Sequence, residues 1–244
     1  MYTATAVERE RERFTTLPET DTTYRETGEG LNTFSRRALY MASRGVPVTP
    51  VRPKTKDAFL PKWPESATCE LSKIAEWARQ FPDHNIGCVA KDGAVWLLDA
   101  DDLGLTARYE WDTGQQFPRT FTVESRPGHR HYYFRPSDAS RKLGNVGQDK
   151  HKAFSVRANN EYLVGPGSVH PAGDIYRIVD NEEFAQVPDA LIQWIEKQID
   201  APRCAPGQGG GATPPPASKK IPEGGRNCHL TSVAGGAAPC GNIR

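Results

Sequence analysis

Two absences narrow the possibilities before any motif is considered. No apolar run approaches the roughly 18 residues that a membrane helix requires, and the opening MYTATAVERERERF has no hydrophobic centre of the kind a secretory leader carries. Both point to a cytoplasmic protein with no membrane partner. Cysteine is sparse: Cys69, Cys88, Cys204, Cys228 and Cys240 form no C-x-x-C pair, so neither a zinc ribbon nor a disulfide framework is signalled, and reduced thiols are expected. Net charge is nearly absent, +1 over 244 residues, and so identifies no partner. Its distribution says more. Between Arg126 and Arg157 stand eight basic residues (Arg126, Arg130, Arg135, Arg141, Lys142, Lys150, Lys152, Arg157) against only Asp138 and Asp149, a local patch suited to anions.

Large apolar residues are also rare from residue 1 to 30, a Thr-, Glu- and Arg-rich stretch that cannot bury enough surface to offset its ordering entropy and is expected to be a loose tail. The Gly/Pro/Ser-rich GQGGGATPPPASKK marks a linker over 201–220. The remaining 221–244 is too short for a core and reads as the start of a further domain.

That leaves 31–200 as the folded unit. TFSRRALYMASRG, LSKIAEWARQF and VPDALIQWIEKQI carry apolar residues at helical spacing. Between them NIGCVA, AVWLLDAD, TFTVES, RHYYFR, AFSVR and EYLVGP read as strands bounded by Gly, Pro and Asp. Helices grouped at the ends of a run of hairpin-joined strands predict an α+β fold, a sheet with helices on one face.

The chemistry concentrates in VWLLDADDLG. Strand side chains alternate, so Val95, Leu97, Asp99 and Asp101 share one face and Trp96, Leu98 and Ala100 the other. Two carboxylates closing a buried strand suit a hard divalent cation such as magnesium or manganese; equally, Asp101 or Asp102 can make an Asx turn before Gly104. The next segment, TVESRPGHRHYYFRP, predicts a hairpin turning at Gly128, with His129, His131 and Tyr133 on one face of its second strand. A histidine beside a carboxylate-held cation can bond a phosphate, and a histidine there can also simply pack or face solvent. In FSVRANNEYLVGPGSVHPAG, Ser155 and Arg157 share a face, and a Pro/Gly loop containing Ser168 ends in His170. Arg157 is either a phosphate clamp or an ordinary strand arginine. The Pro-broken loop with Arg52, Lys54, Lys56 and Lys62 either steers a polyanion or is solvated surface.

Taken in order, RRALYMASRGVPVTPVRPKTKDAFLPKW, NIGCVAKDGAVWLLDADD, SRPGHRHYYFR and SVRANNEYLVGPGSVHP resemble the N-terminal domain of bifunctional DNA primase/polymerases, the prim-pol branch of the archaeo-eukaryotic primase superfamily. The resemblance spans nearly all of 31–200. It implies an RRM-like antiparallel or mixed sheet with helices packed on it, and template-dependent nucleotidyl transfer from nucleoside triphosphates onto a DNA template or primer. By position it implies Asp99 and Asp101 as ligands of two divalent metals, Mg2+ or Mn2+, and His131 as the group that contacts the triphosphate. Arg157, Lys56, Ser168 and His170 follow as further nucleotide- or phosphate-binding candidates. The tail IPEGGRNCHLTSVAGG resembles the start of the helical segment that follows this domain in primase-helicase proteins, which implies a C-terminal helicase or replication module as a partner. One departure stands out: where the family carries an acid two residues before the arginine, this chain has Ser155 in AFSVR. Loss of that ligand implies, as an alternative, a weak or inactive domain that binds nucleotide or nucleic acid. A metal-dependent phosphoesterase using the same Asp and His cluster is a third reading.

Overall fold

Helix α1, Thr33–Ser43, buries Phe34, Ala38 and Met41 at the i, i+4, i+7 spacing of a single helical face. It stops where Gly45 takes φ 78° and the amides of Gly45 and Val46 turn back to the carbonyls of Ala42 and Met41, at 2.9 and 3.1 Å. The computed structural model that shows this describes residues 33–151 and 153–200. The expected tail, the 201–220 linker and the 221–244 segment lie outside the described residues.

The remaining elements follow in chain order: β1 (Val48–Val51), α2 (Trp63–Ser66), α3 (Leu71–Gln80), β2 (Asn85–Ala90), β3 (Trp96–Ala100), α4 (Leu105–Thr113), β4 (Thr122–Arg126), β5 (His129–Phe134), α5 (Asp138–Leu143), β6 (Phe154–Arg157), β7 (Glu161–Val164), β8 (Arg177–Asp180) and α6 (Asp189–Asp200). The strands form two sheets, β1-β2-β7 and β6-β3-β5-β4-β8. All ladders between these strands are antiparallel. Strand β3 is flanked on both sides, by β5 and β6, so it can be as apolar as it is.

The predicted alternation along β3 separates two cores. Val95 and Leu97, with Tyr133 and Val123, join Ile86, Cys88 and Ala90 of β2, Leu163 and Val164 of β7, and residues of α1 and α3. Trp96, Leu98 and Ala100, with Tyr132, Phe134, Phe154 and Val156, pack with residues of α4 and α6 on the opposite face. Helices therefore contribute to both cores, where the sequence had suggested one helical face. The reason is that NIGCVA and EYLVGP leave the main sheet and form a second one that helps cover its first face. None of the helices among the described residues is long and apolar enough to cross a membrane.

Strand β1 was not evident from sequence because Pro50 interrupts it. It lies at the edge of the small sheet, and the backbone groups of Val48 already point outward, exchanging hydrogen bonds with Thr68 at 3.0 and 3.1 Å. Backbone groups two residues apart point the same way, so the amide that Pro50 lacks would also have pointed outward and no ladder bond is lost.

Leu97 is fully buried in the first core, whereas Trp111 on α4 is 63% exposed. Leu97→Ala is expected to lower unfolding free energy by about 2–5 kcal/mol in denaturant titration. Trp111→Ala is expected to change it by no more than about 0.5 kcal/mol.

Candidate active site

Antiparallel register sets one row of residues across the large sheet: Ser155 on β6, Asp99 on β3, His131 on β5 and Val123 on β4. Asp99 and His131 end the face that Leu97 and Tyr133 bury, and His131 Nε2 stands 3.4 Å from Asp99 Oδ1. The imidazole is almost wholly buried. Burial lowers its pKa, with Asp99 opposing that shift and Lys56 adding to it, so the neutral ring dominates near pH 7. Its ring lies 5.6 Å from that of Tyr176, and Tyr176 lies 5.8 Å from His170. Burial, and then the charge of Asp99, push the Tyr176 phenol upward.

Asp101 follows two residues later. Its carboxyl is raised above the usual range, first by burial and then by Asp99, while a hydrogen bond from Gln148 and the charges of His129 and Lys56 lower it. Gln148 Nε2 donates to Asp101 Oδ2 at 2.6 Å. Asp102 takes the other reading of the acidic run: it accepts from the Gly104 amide at 2.8 Å in an Asx turn and pairs with Arg108 at 2.8 Å. The turn expected before Gly104 is thus made by Asp102.

The basic loop is placed by hydrogen bonds. The Arg52 amide donates to the Asp57 carbonyl at 3.0 Å, and the Tyr162 hydroxyl donates to the Lys56 carbonyl while accepting from the Ala58 amide at 2.9 Å. Lys56 consequently acts electrostatically on Asp101, His131 and His170 together. His170 Nδ1 accepts from the Ala172 amide at 3.0 Å, which leaves Nε2 to carry the proton in the neutral ring. Burial lowers its pKa first, then Lys56 and Arg126.

Of the residues singled out by sequence, the structure brings Asp99, Asp101, His131, Lys56 and His170 into one neighbourhood, with His129 within electrostatic reach of Asp101. Ser168 is fully buried and its Oγ accepts from the Ile86 amide at 3.1 Å. Arg157 pairs across the ladder with Leu97, two residues along from Ser155 on the same face, and its guanidinium is bound to Glu161. Ser155 itself is fully buried and its Oγ has no hydrogen-bond partner among the described residues.

Sequence reasoning missed Asn85. This buried side chain donates to the carbonyls of Thr55 at 3.3 Å and Val169 at 2.8 Å and accepts from the Val169 amide at 2.9 Å. It ties the Lys56 loop to the His170 loop. A polar residue opening an otherwise apolar strand was the available signal.

Asp99, near the end of β3, and Asp101, one residue beyond it, fit a hard cation in donor type and in the repulsion by which Asp99 raises Asp101. Among the described residues no three His, Cys, Asp or Glu side chains form a ready metal cage, so two carboxylates would leave the other positions to water and substrate oxygens. A family model, bifunctional DNA primase/polymerase, N-terminal, matches residues 38–190. No curated protein matches the chain.

Asn85→Ala leaves the half-buried Val169 amide without its acceptor and is expected to cost about 1–3 kcal/mol, checked by thermal denaturation. In Asp99→Asn, the Asp101 carboxyl is expected to titrate lower than in the natural protein, read by carboxyl carbon NMR without metal. A raised folded pKa gives stability that is full below the unfolded carboxylate pKa and is lost as pH rises through the folded one. The substitution therefore narrows that pH window.

Proposed function

Because the chain belongs to the bifunctional DNA primase/polymerase N-terminal family, we propose that 31–200 is a unit performing template-directed transfer of nucleotides from nucleoside triphosphates onto a DNA template or primer. The single observation that supports this most is the row of Asp99 and His131, with Asp101 one residue past the end of β3 and Lys56 acting on both Asp101 and His131.

Asp99 and Asp101 would hold divalent metal, magnesium or manganese, which when bound supplies charge neutralisation at the attacking and leaving oxygens. His131 would contact the triphosphate, its neutral ring held in place beside Asp99 and by packing against Tyr176. Lys56 and His170 bring a cation and a neutral donor to the same phosphates, and Tyr162 and Ala172 fix where those two residues sit. Ser168 holds the His170 loop to β2, and Arg157, when released from Glu161, serves as an outer phosphate contact. Positioning and charge stabilisation then account for most of the rate, since phosphoryl transfer requires little covalent chemistry from protein.

A second reading is supported by Ser155, which pairs with Asp99 across the ladder and whose hydroxyl has no partner among the described residues. With a hydroxyl where the family carries an acid, the domain would bind nucleotide while catalysing weakly or not at all.

Primer extension and de novo dinucleotide synthesis with magnesium or manganese separate the two. An Asp99→Ala, Asp101→Ala double variant is expected to lose at least roughly a thousandfold in rate, or ~4 kcal/mol in barrier. Ser155→Asp is expected to raise it, and an unchanged or lower rate removes the missing-ligand argument. No product from the natural protein, alongside metal-dependent triphosphate binding that the double variant lacks, favours the binding domain.

A further inference from the structure

The strands that carry Asp99 and His131 at one end reach a different environment at the other. Because β3 and β5 run antiparallel, the start of β3 meets the end of β5, with Trp96 opposite Phe134. Beyond them a cleft of about 350 Å3 opens, lined by Arg44, Arg135 and Arg141, with Gly93, Phe184 and Glu183. From Ala94 to Asp99 the strand covers roughly 17 Å at ~3.3 Å per residue, so this cleft is separate from the candidate active site.

The three guanidiniums are held in different ways. That of Arg44, whose side chain is 16% exposed, is stacked over Phe121 and Phe184 with centroid distances of 4.7 and 5.0 Å. Its Nη2 donates to the Glu182 carbonyl, and its buried Nε has no partner among the described residues. Arg141 lies against the turn before β3: an added Cβ on Gly93 would stand 3.5 Å from its Nη2. That turn has Asp92 at φ 52° and Gly93 at φ 70°, a tight form. Arg135 is more exposed, its side chain 63% accessible, at the end of β5.

The opposing acids are weakly engaged. Glu183 is 85% exposed and its oxygens are 3.9 Å from both Arg44 and Arg135, too far for a hydrogen bond. Asp138 pairs with Arg141 at 3.0 Å, but its side chain is 93% exposed, and such surface pairs contribute little. The cleft is thus lined by three arginines, of which Arg44 is engaged by the Glu182 carbonyl and by Asn181 while Arg135 and Arg141 face only weakly held surface acids, and by one loose carboxylate. Arginine forks match phosphate oxygens in pairs.

We propose that this cleft binds a phosphate group, with Glu183 as the counter-ion it displaces. The phosphate comes either from a nucleic-acid strand or from a free polyphosphate. Its position at the far end of the same strands favours a strand that continues past the active site.

The test uses the full chain in EDTA, so that its outcome does not depend on the Asp99 site holding metal. Affinity for a fluorescein-labelled single-stranded oligothymidylate is measured by anisotropy across a salt series, and affinity for tripolyphosphate by calorimetry. The variants are Arg135→Ala, Arg141→Ala; the charge-matched Arg79→Ala, Lys197→Ala, whose residues are exposed on helices and do not line the cleft; and Glu183→Gln. Arg135→Ala, Arg141→Ala is expected to weaken the oligonucleotide roughly tenfold and flatten the slope of log affinity against log salt by about 1.4, the share of two single-strand phosphate contacts. Glu183→Gln, which leaves both arginines in place, is expected to tighten binding. If only tripolyphosphate binding is lost in the cleft variant, the site stands with a free polyphosphate as its ligand. If both double variants behave alike toward both probes and Glu183→Gln changes neither, the proposal is overturned.

Discussion

Everything at the candidate active site depends on the pairing of β3 with two antiparallel neighbours in one register. That register places Asp99 between Ser155 and His131. A shift of one residue would turn Asp99 and Asp101 into the core lined by Trp96 and Phe134, and present Leu98 and Ala100 in their place. Both faces of β3 are buried, so such a shift is resisted by the cost of carrying the Asp99 carboxylate into the apolar core around Trp96 and Phe134.

The same arrangement accounts for how charge is tolerated there. Asp101 bears the cost of standing near a second carboxylate in a half-buried place, and Gln148, His129 and Lys56 offset part of it. His131 is kept neutral by burial although Asp99 would favour its cation. The site is therefore held short of full compensation, a state in which a bound cation gains more than it would beside carboxylates already satisfied.

Much of this was legible in the sequence, and the parts that were not share a cause. Periodicity placed α1, α3, α6 and the six strands from NIGCVA to EYLVGP, and alternation correctly set Asp99 with Leu97 and His131 with Tyr133. Helix α4 was missed because LTARYEWDT buries only Leu105 and Tyr109 and exposes Trp111, so its apolar pattern is thin. The division into two sheets was not legible, because which strands pair depends on contacts distant in sequence. Asn85 was missed for the same reason: its partners Thr55 and Val169 lie 30 and 84 residues away. The turn of Asp102 before Gly104 was legible, whereas its pairing with Arg108 was not, because it needs the first turn of α4 in place.

Pro50 has an effect beyond the strand it interrupts. Along the outer side of β1, the Val48 amide is taken by Thr68, Pro50 has none, and the Arg52 amide is taken by Asp57. An extended chain approaching that margin would find no free donor among these three positions, and a sheet grows only where donors and acceptors alternate. This flank of the small sheet is thus closed to strand exchange and to stacking into fibrils.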